Sequence, residues 1–155
     1  MCTAPMPVVE IRVPVFLTED KERVLKAIAN VLHMDLMKCR EVKAPEEDSF
    51  ILECTSDSFK PLEKLRSLLR TQRTLDAART YLEKGYSGGV VRFYLNKQAA
   101  YTGKVSFCAY EFGESPLGAI TVTVHLEGCN PEKFMNWLAP RTAQGVPVAE
   151  ETDPC

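Results

Sequence analysis

Residues 120–126 read ITVTVHL and show the cleanest alternation of apolar and polar side chains in the chain. The even positions are isoleucine, valine or leucine, and the odd positions are two threonines and a histidine. A period of two residues is typical of a strand with one face in the core and the other face in water. The stretch therefore predicts a half-buried strand in an antiparallel sheet.

Strand patterns also occur on both sides of this stretch. In residues 8–16 the odd positions from Val9 to Val15 are all valine or isoleucine, and Pro14 lies among them. Proline has no amide hydrogen to donate to a sheet, so we expect this strand at an edge or a bulge. Apolar and β-branched patterns predict further strands at residues 36–42, 49–55, 90–95 and 104–108.

Helices are predicted where apolar residues recur at a spacing of three or four. The first follows Thr18 and runs to about Leu32, and the last starts at Pro131 and ends before Pro140. Two more helical patterns lie between them, one with Pro61 in its first turn and one that starts near Leu75 and stops at Gly85, and they could be one bent helix or a tight pair. The order β-α-β-β-α-α-β-β-β-α predicts an α+β fold, with a mostly antiparallel sheet and helices packed on one face.

Length and composition predict a single domain for residues 1–155, with an ordered core at about 8–148 and a frayed acidic tail at 149–155. No apolar run is long enough for a membrane span, and the start does not resemble a secretory signal. We therefore expect a cytoplasmic protein with no membrane partner. The six cysteines are widely spaced without CxxC pairs, so reduced thiols are expected.

The charged residues are unevenly distributed along the chain. Residues 60–104 contain ten basic and three acidic residues, a net charge of +7, whereas the rest of the chain carries −9. A basic segment of this kind favours a polyanionic partner such as RNA. Within it Arg66, Arg70 and Arg73 have the spacing of one helix face, which would offer guanidinium groups to phosphates. The alternative is the solvated face of an ordinary amphipathic helix.

Two further regions are candidates for RNA contact. The polar residues of the predicted strands would share the outer face of the sheet, which could hold single-stranded RNA or could simply face water. These residues are Arg12, Arg92, Tyr94, Lys104, Thr121, Thr123 and His125. The segment 96–104, which contains Lys97, predicts a long polar loop that could display binding side chains or be a solvated turn.

The residues typical of catalytic and metal sites do not form a recognisable pattern. His33 and His125 have no nucleophile or second ligand at a known motif spacing, and neither glycine-rich loop ends as a phosphate-binding loop does. Paired acids such as Glu46 and Glu47 lie in predicted loops, where water keeps their pKa values similar. We therefore expect no enzyme activity, no metal and no cofactor.

Five stretches resemble a small, uncharacterised archaeal protein family labelled as RNA-binding, and the resemblance covers residues 8–148. The stretches are Leu17–Asp20, Leu65–Arg79, Leu95–Tyr101, Gly113–Gly118 and Trp137–Val148. The resemblance implies a compact α+β fold, similar to the ribosomal protein that binds the small RNA of the large subunit. It implies no established enzyme activity and no assigned active-site residues.

The leading hypothesis is a non-catalytic protein that binds RNA through its basic central region. The residues predicted to contact RNA are Arg66, Arg70, Arg73, Arg92, Lys97 and Arg141. The alternative is a protein-interaction module that forms a homodimer through strand 8–16 or exposed aromatic residues, with no nucleic-acid role. A small-molecule enzyme is a third possibility, which would require a concave pocket with a perturbed titratable group.

Overall fold

The computed structural model describes residues 7–44, 49–112 and 117–155 and confirms the α+β class. Its main sheet contains β1 (Val9–Phe16), β2 (Arg40–Lys43), β3 (Ser49–Ser56), β4 (Tyr86–Ser87), β5 (Val90–Asn96), β6 (Phe107–Cys108) and β7 (Ala119–His125). The helices are α1 (Lys21–Val31), α2 (Pro61–Thr71), α3 (Leu75–Lys84), α4 (Lys97–Tyr101) and α5 (Pro131–Leu138). A hairpin of β8 (Thr142–Ala143) and β9 (Val146–Pro147) follows α5.

The sheet is antiparallel, and its strands lie in the order β2-β3-β1-β7-β5-β4, with β6 also paired to β5. Strand β1 lies between β3 and β7, so the prediction that it forms an edge is wrong. Its pairing with β7 stops at Arg12, two residues before Pro14. The missing amide of Pro14 therefore falls just beyond the ladder, where it leaves no donor unpaired.

One hydrophobic cluster contains the inward side chains of β1, β3, β5 and β7 together with the apolar faces of α1, α2, α3 and α5. The even positions of β7 from Ile120 to Val124 are fully buried, as the alternation predicted. Leu62, Leu65 and Leu69 of α2 are also fully buried. The helices therefore pack on one face of the sheet, and its other face carries the polar side chains.

The structure contains elements that the strand and helix patterns missed. The predicted loop 96–104 contains α4, because the Asn96 side chain caps a short helix by accepting a hydrogen bond from the Ala99 amide at 2.9 Å. The strand predicted at 104–108 is reduced to two residues, and residues 36–38 form a 3₁₀ turn before β2. Residues 45–48, which include the predicted loop acids Glu46 and Glu47, and residues 113–116 lie outside the described residues.

Four of the six cysteines form disulfides, so the prediction of reduced thiols is wrong for them. Cys39, beside the start of β2, is bonded to Cys54 of β3. Cys129, just before α5, is bonded to Cys155. Both pairs are brought together by sheet pairing and tertiary packing, which the spacing of cysteines along the chain does not show. Cys2 lies outside the described residues.

The acidic segment 149–155 packs against the helices, so the prediction of a frayed tail is also wrong. The Glu151 amide donates to the Asn136 carbonyl at 3.4 Å, and the Lys133 ammonium donates to the Cys155 carbonyl at 3.1 Å. One of its acids, Glu150, pairs with two basic side chains of α2, Arg66 and Arg70.

None of the helices in the described ranges combines the length and the apolar character that crossing a bilayer would require.

A close approach of two backbones fixes where α3 ends against β5. The Arg92 amide donates to the Gly85 carbonyl at 3.0 Å. A Cβ atom at Gly85 would lie 1.8 Å from the Arg92 carbonyl oxygen, and neither backbone can yield without moving α3 or β5. Only glycine fits at this junction, which positions Arg92 on the sheet.

We predict that Gly85→Ala lowers the free energy of unfolding by about 3 kcal/mol, because the added methyl group overpacks the junction. Urea unfolding followed by circular dichroism measures this change. The matched control is Gly88→Ala, where a Cβ atom meets nothing within 4 Å and only the positive φ of 58° is unfavourable, at about 1 kcal/mol. Equal losses for the two variants would contradict this account of the junction.

Candidate nucleic-acid interface

Arg66 and Arg70 lie together on α2, as their spacing predicted, but they do not face open water. Both contact Glu150, at 3.2 Å from Arg66 Nη2 and 2.6 Å from Arg70 Nη2. Both also donate to the Trp137 carbonyl at the end of α5, at 2.8 Å from Arg66 Nε and 3.1 Å from Arg70 Nη2. Burial lowers the pKa of Arg66, and the neighbouring charge of Arg70 lowers it further. Arg66 and Arg70 therefore join α2 to α5 and bind the carboxylate of Glu150.

Lys97 is buried rather than displayed on a loop. Its ammonium group contacts both carboxylate oxygens of Glu19, at 2.8 and 3.1 Å, and donates to the Pro14 carbonyl at 2.7 Å. That carbonyl lies where the β1–β7 ladder has stopped. Burial lowers the pKa of Lys97, whereas the hydrogen bond and charge of Glu19 raise it. Lys97 therefore closes a gap in the sheet and has no donor left for a ligand.

The last three predicted residues lie in different places. Arg141 pairs with Glu83 at 2.5 Å, beside the buried Arg79 that joins α3 to α5. Arg73 follows α2 with φ of 56°, so the basic stripe ends before it. Arg92 is exposed on β5. Among the described residues, Arg73 and Arg92 form no salt bridge, and the six cations do not converge on one surface.

The outer face of the sheet brings a different set of residues together. Strand pairing places Thr121 opposite both Arg12 and Tyr94, and places Thr123 opposite Arg92. Directly opposite residues share a face and have Cβ atoms about 5 Å apart. We call Arg12, Arg92, Tyr94, Thr121 and Thr123 the outer-face cluster. Its members come from β1, β5 and β7.

Two threonine hydroxyls form the floor of the outer-face cluster. Thr121 and Thr123 are each 7% exposed, because the long side chains on the flanking strands cover them. Arg92 Nε donates to Thr123 Oγ1 at 3.3 Å. Among the described residues, Thr121 Oγ1 has no hydrogen-bond partner. A buried hydroxyl that lacks a partner is costly, and a ligand oxygen above it would satisfy it.

The charges around the cluster are mixed. Glu53 lies 3.4 Å from Arg12 and 2.9 Å from Arg40, so one carboxylate is shared by two guanidinium groups. Glu10 is paired with His125 at 3.0 Å. Arg92 has no acidic partner in the described part of the chain, which makes it the cation of the cluster that is available to a phosphate.

The cluster continues into a cleft at the edge of the sheet. Strands β4 and β6 pair with the same edge of β5 and leave a gap between them at Arg92 and Phe93. The cleft there has a volume of about 520 Å³. We call it the edge cleft. The side chains that line it include Tyr81, Lys84, Arg92, Tyr94 and Tyr110. Tyr110 is largely exposed, and Lys84 has no salt-bridge partner among the described residues.

The opposite end of the outer face is covered. Phe112 packs edge-on against Phe16, with ring centroids 6.5 Å apart. A Cβ atom at Gly118 would lie 2.7 Å from Pro14 Cγ and 3.0 Å from Phe112, so the chain can cross here only with glycine. This apolar cover closes the outer face around Pro14 and Phe16, at the end away from the edge cleft.

Alternation along the strands predicted the five residues of the outer-face cluster, but no local pattern predicted the edge cleft. The expectation that Lys104 shares the face is wrong, because Lys104 lies in the loop between α4 and β6. Tyr110 was missed because it follows β6 in an irregular segment. The interleaving of tyrosine with lysine and arginine in residues 81–94 is the signal that could have indicated the cleft.

Comparison with known proteins identifies the family. A family model described as RNA binding matches residues 8–126. The UPF0201 protein of Pyrobaculum calidifontis is 47% identical over 147 residues, which cover 94% of this chain and 98% of the relative. The chain belongs to the UPF0201 family. The UPF0201 protein of Sulfolobus acidocaldarius is also similar, with 46% identity over 137 residues, 88% of this chain and 90% of the relative.

A solved structure of the same family supports the fold. The crystal structure of the UPF0201 protein from Methanococcus jannaschii is 38% identical, with a TM-score of 0.74, and covers 90% of this chain and 98% of its own. The resemblance to an archaeal RNA-binding family is thereby confirmed. The similarity to a ribosomal protein that the resemblance implied stays a prediction.

We predict that Lys97→Met lowers the free energy of unfolding by about 3 kcal/mol, because it leaves Glu19 buried without its cation. The double variant Lys97→Met/Glu19→Gln should recover most of the loss, since the glutamine oxygen can still accept from the Phe16 amide. The control is Lys21→Met, which breaks the exposed pair with Glu41 and should change stability by less than about 1 kcal/mol. Chemical denaturation measures the free energy of unfolding of all three variants. A loss for Lys97→Met that is no larger than the loss for Lys21→Met would contradict the structural role of Lys97.

Proposed function

We propose that this protein binds single-stranded RNA, without catalysis, through the outer-face cluster and the edge cleft. The family description supports an RNA role, and the matched residues 8–126 include the whole of both features. Arg141 and the segment 149–155 lie outside the match. Of the six cations predicted from the sequence, only Arg92 belongs to the proposed interface.

The observation that carries the proposal is the buried hydroxyl of Thr121, which lies between Arg12 and Tyr94 and has no hydrogen-bond partner among the described residues. A phosphate or ribose oxygen of RNA would give it a hydrogen bond. Arg92 offers a planar fork of donors beside it, which suits phosphate oxygens. The site thus combines a neutral donor with a cation that has no acidic partner in the described part of the chain.

The aromatic residues favour single strands over duplexes. Tyr94 and Tyr110 at the edge cleft can stack on bases, which contributes about 1–3 kcal/mol for each base. Bases in a duplex are already stacked and their edges lie in the grooves, so aromatic side chains reach them only where the strand is unpaired. Lys84 and Arg92 would hold the backbone while the rings hold the bases.

We predict that Arg92→Ala weakens binding of a fluorescein-labelled oligouridylate of about 12 nucleotides roughly tenfold. It should also reduce the slope of log affinity against log salt by about 0.7, because one phosphate contact is lost. Tyr94→Leu should weaken binding to a similar extent without changing the slope, since stacking releases no counterions. Fluorescence anisotropy at several salt concentrations measures both effects.

Arg23→Ala is the matched control, because it removes the same charge from α1 on the helical layer. The affinity of this variant for the labelled oligouridylate should stay within about twofold of the wild-type affinity. If Arg92→Ala and Arg23→Ala weaken binding equally, the outer face is not the interface. Light scattering on the same samples tests the homodimer alternative, which stays a prediction.

A further inference from the structure

We infer that Arg66 and Arg70 form a second phosphate-binding site, which residues 149–155 cover and which cleavage of the Cys129–Cys155 disulfide uncovers. The inference rests on the proposed RNA function for its biological ligand. Its chemistry applies to any phosphate anion, whether in an RNA backbone or in free polyphosphate. This site lies on α2 in the helical layer, away from the outer-face cluster.

Contacts other than those with Glu150 hold the guanidinium groups of Arg66 and Arg70 in place. Arg66 Nε donates to the Trp137 carbonyl, and the Arg66 guanidinium lies 5.6 Å from the centre of the Trp137 ring. Arg70 Nη1 donates to the Arg66 carbonyl at 2.8 Å and to the Leu138 carbonyl at 3.2 Å. The ends of α2 and α5 therefore fix the two guanidinium groups side by side, whether or not an anion is bound. Preorganised donors of this kind suit a phosphate.

Glu150 occupies the position that a phosphate would take. Its Oε1 accepts from Arg66 Nη2 at 3.2 Å and from Arg70 Nε at 2.7 Å. The carboxylate is the counterion for two adjacent positive charges, and its removal leaves them to repel each other. Burial and the nearby charge of Arg70 already lower the pKa of Arg66, which Glu150 opposes. An anion with more charge than a carboxylate would be held more strongly at the same forks.

The segment that carries Glu150 has few contacts of its own. It contributes no residue to the buried hydrophobic core. Beyond those of Glu150, its polar contacts with the described residues are those of the Glu151 amide and carbonyl and the Cys155 carbonyl. The segment continues from β9 at one end and is fixed at the other end by the Cys129–Cys155 bond, and the two attachments together keep the local concentration of Glu150 high. Without that bond, partly exposed ion pairs and a few hydrogen bonds would have to hold the segment on α2, and ion pairs open to water contribute little.

The chemical step requires a dithiol reductant. A thiolate of the dithiol attacks one sulfur of the disulfide and releases the other cysteine as a thiolate, which forms a mixed disulfide. The second thiolate of the dithiol then attacks this mixed disulfide and releases the remaining cysteine. The protein gains two electrons and two protons as Cys129 and Cys155 become thiols, and the dithiol becomes a disulfide. The segment is then free to leave Arg66 and Arg70.

The test compares Glu150→Gln and Cys155→Ser with the control Glu127→Gln. Glu127 is exposed, and among the described residues it forms no salt bridge, so the control makes the same charge change away from α2. Cys155→Ser prevents formation of the Cys129–Cys155 disulfide and leaves Cys39–Cys54 intact. We expect Glu150→Gln to bind inorganic tripolyphosphate at least about tenfold more tightly than the wild type by calorimetry. Cys155→Ser should show part of this gain, and Glu127→Gln should show none.

A second arm identifies the ligand. Arg92→Ala and Arg92→Ala/Glu150→Gln are titrated with the labelled oligouridylate, so that the outer-face site is weakened in both. Tighter binding by the double variant supports an RNA backbone as the ligand, and a gain for tripolyphosphate alone overturns it in favour of free polyphosphate. If Glu150→Gln and Glu127→Gln behave alike with both probes, the covered site does not exist. If Arg92→Ala has no effect but Glu150→Gln gains affinity, the proposed interface fails and the covered site stands.

Discussion

The alternation of strand β7 between β1 and β5 is the constraint on which the rest of the molecule depends. One set of its side chains is fully buried against the helices, and the other set faces outward as a row of threonines. A shift of one residue in the pairing would turn every side chain to the opposite face. The same register that builds the core therefore also places Thr121 between Arg12 and Tyr94.

Four of the ten basic residues of the central segment pair with acids that are distant in sequence. Glu150 meets Arg66 and Arg70, Glu19 meets Lys97, and Glu132 meets the buried Arg79. The net charge of a segment therefore does not predict which of its cations are available on the folded surface. These ion pairs mainly fasten one element to another, whereas Arg92 forms no ion pair with the described residues.

Local patterns predicted the fold class and most strands and helices, because a period of two or of 3.6 residues is itself a local property. They also predicted that Arg66 and Arg70 share a face of α2. They could not predict that the end of α5 and Glu150 would close over that face, since those contacts span about 70 to 85 residues. The disulfides were missed for the same reason. Helix α4 was missed because only five residues and one asparagine cap define it.

The two layers of the protein differ in how they present their cations. On the helical layer the arginines of α2 are preorganised but covered by the protein's own carboxylate. On the outer face Arg92 is uncovered, next to tyrosines and to a hydroxyl that has no partner among the described residues. This contrast, together with the RNA-binding description of the family, directs the functional assignment to the sheet.

The central claim is that RNA contacts the sheet rather than the helices. The most direct measurement is to map the amide chemical-shift changes of the oxidised, isotope-labelled protein as it is titrated with oligouridylate. The account predicts that the changes cluster at residues 10–12, 92–94 and 121–123 of β1, β5 and β7. Changes confined to α1, α2 and α5, with those three strands unaffected, would contradict it.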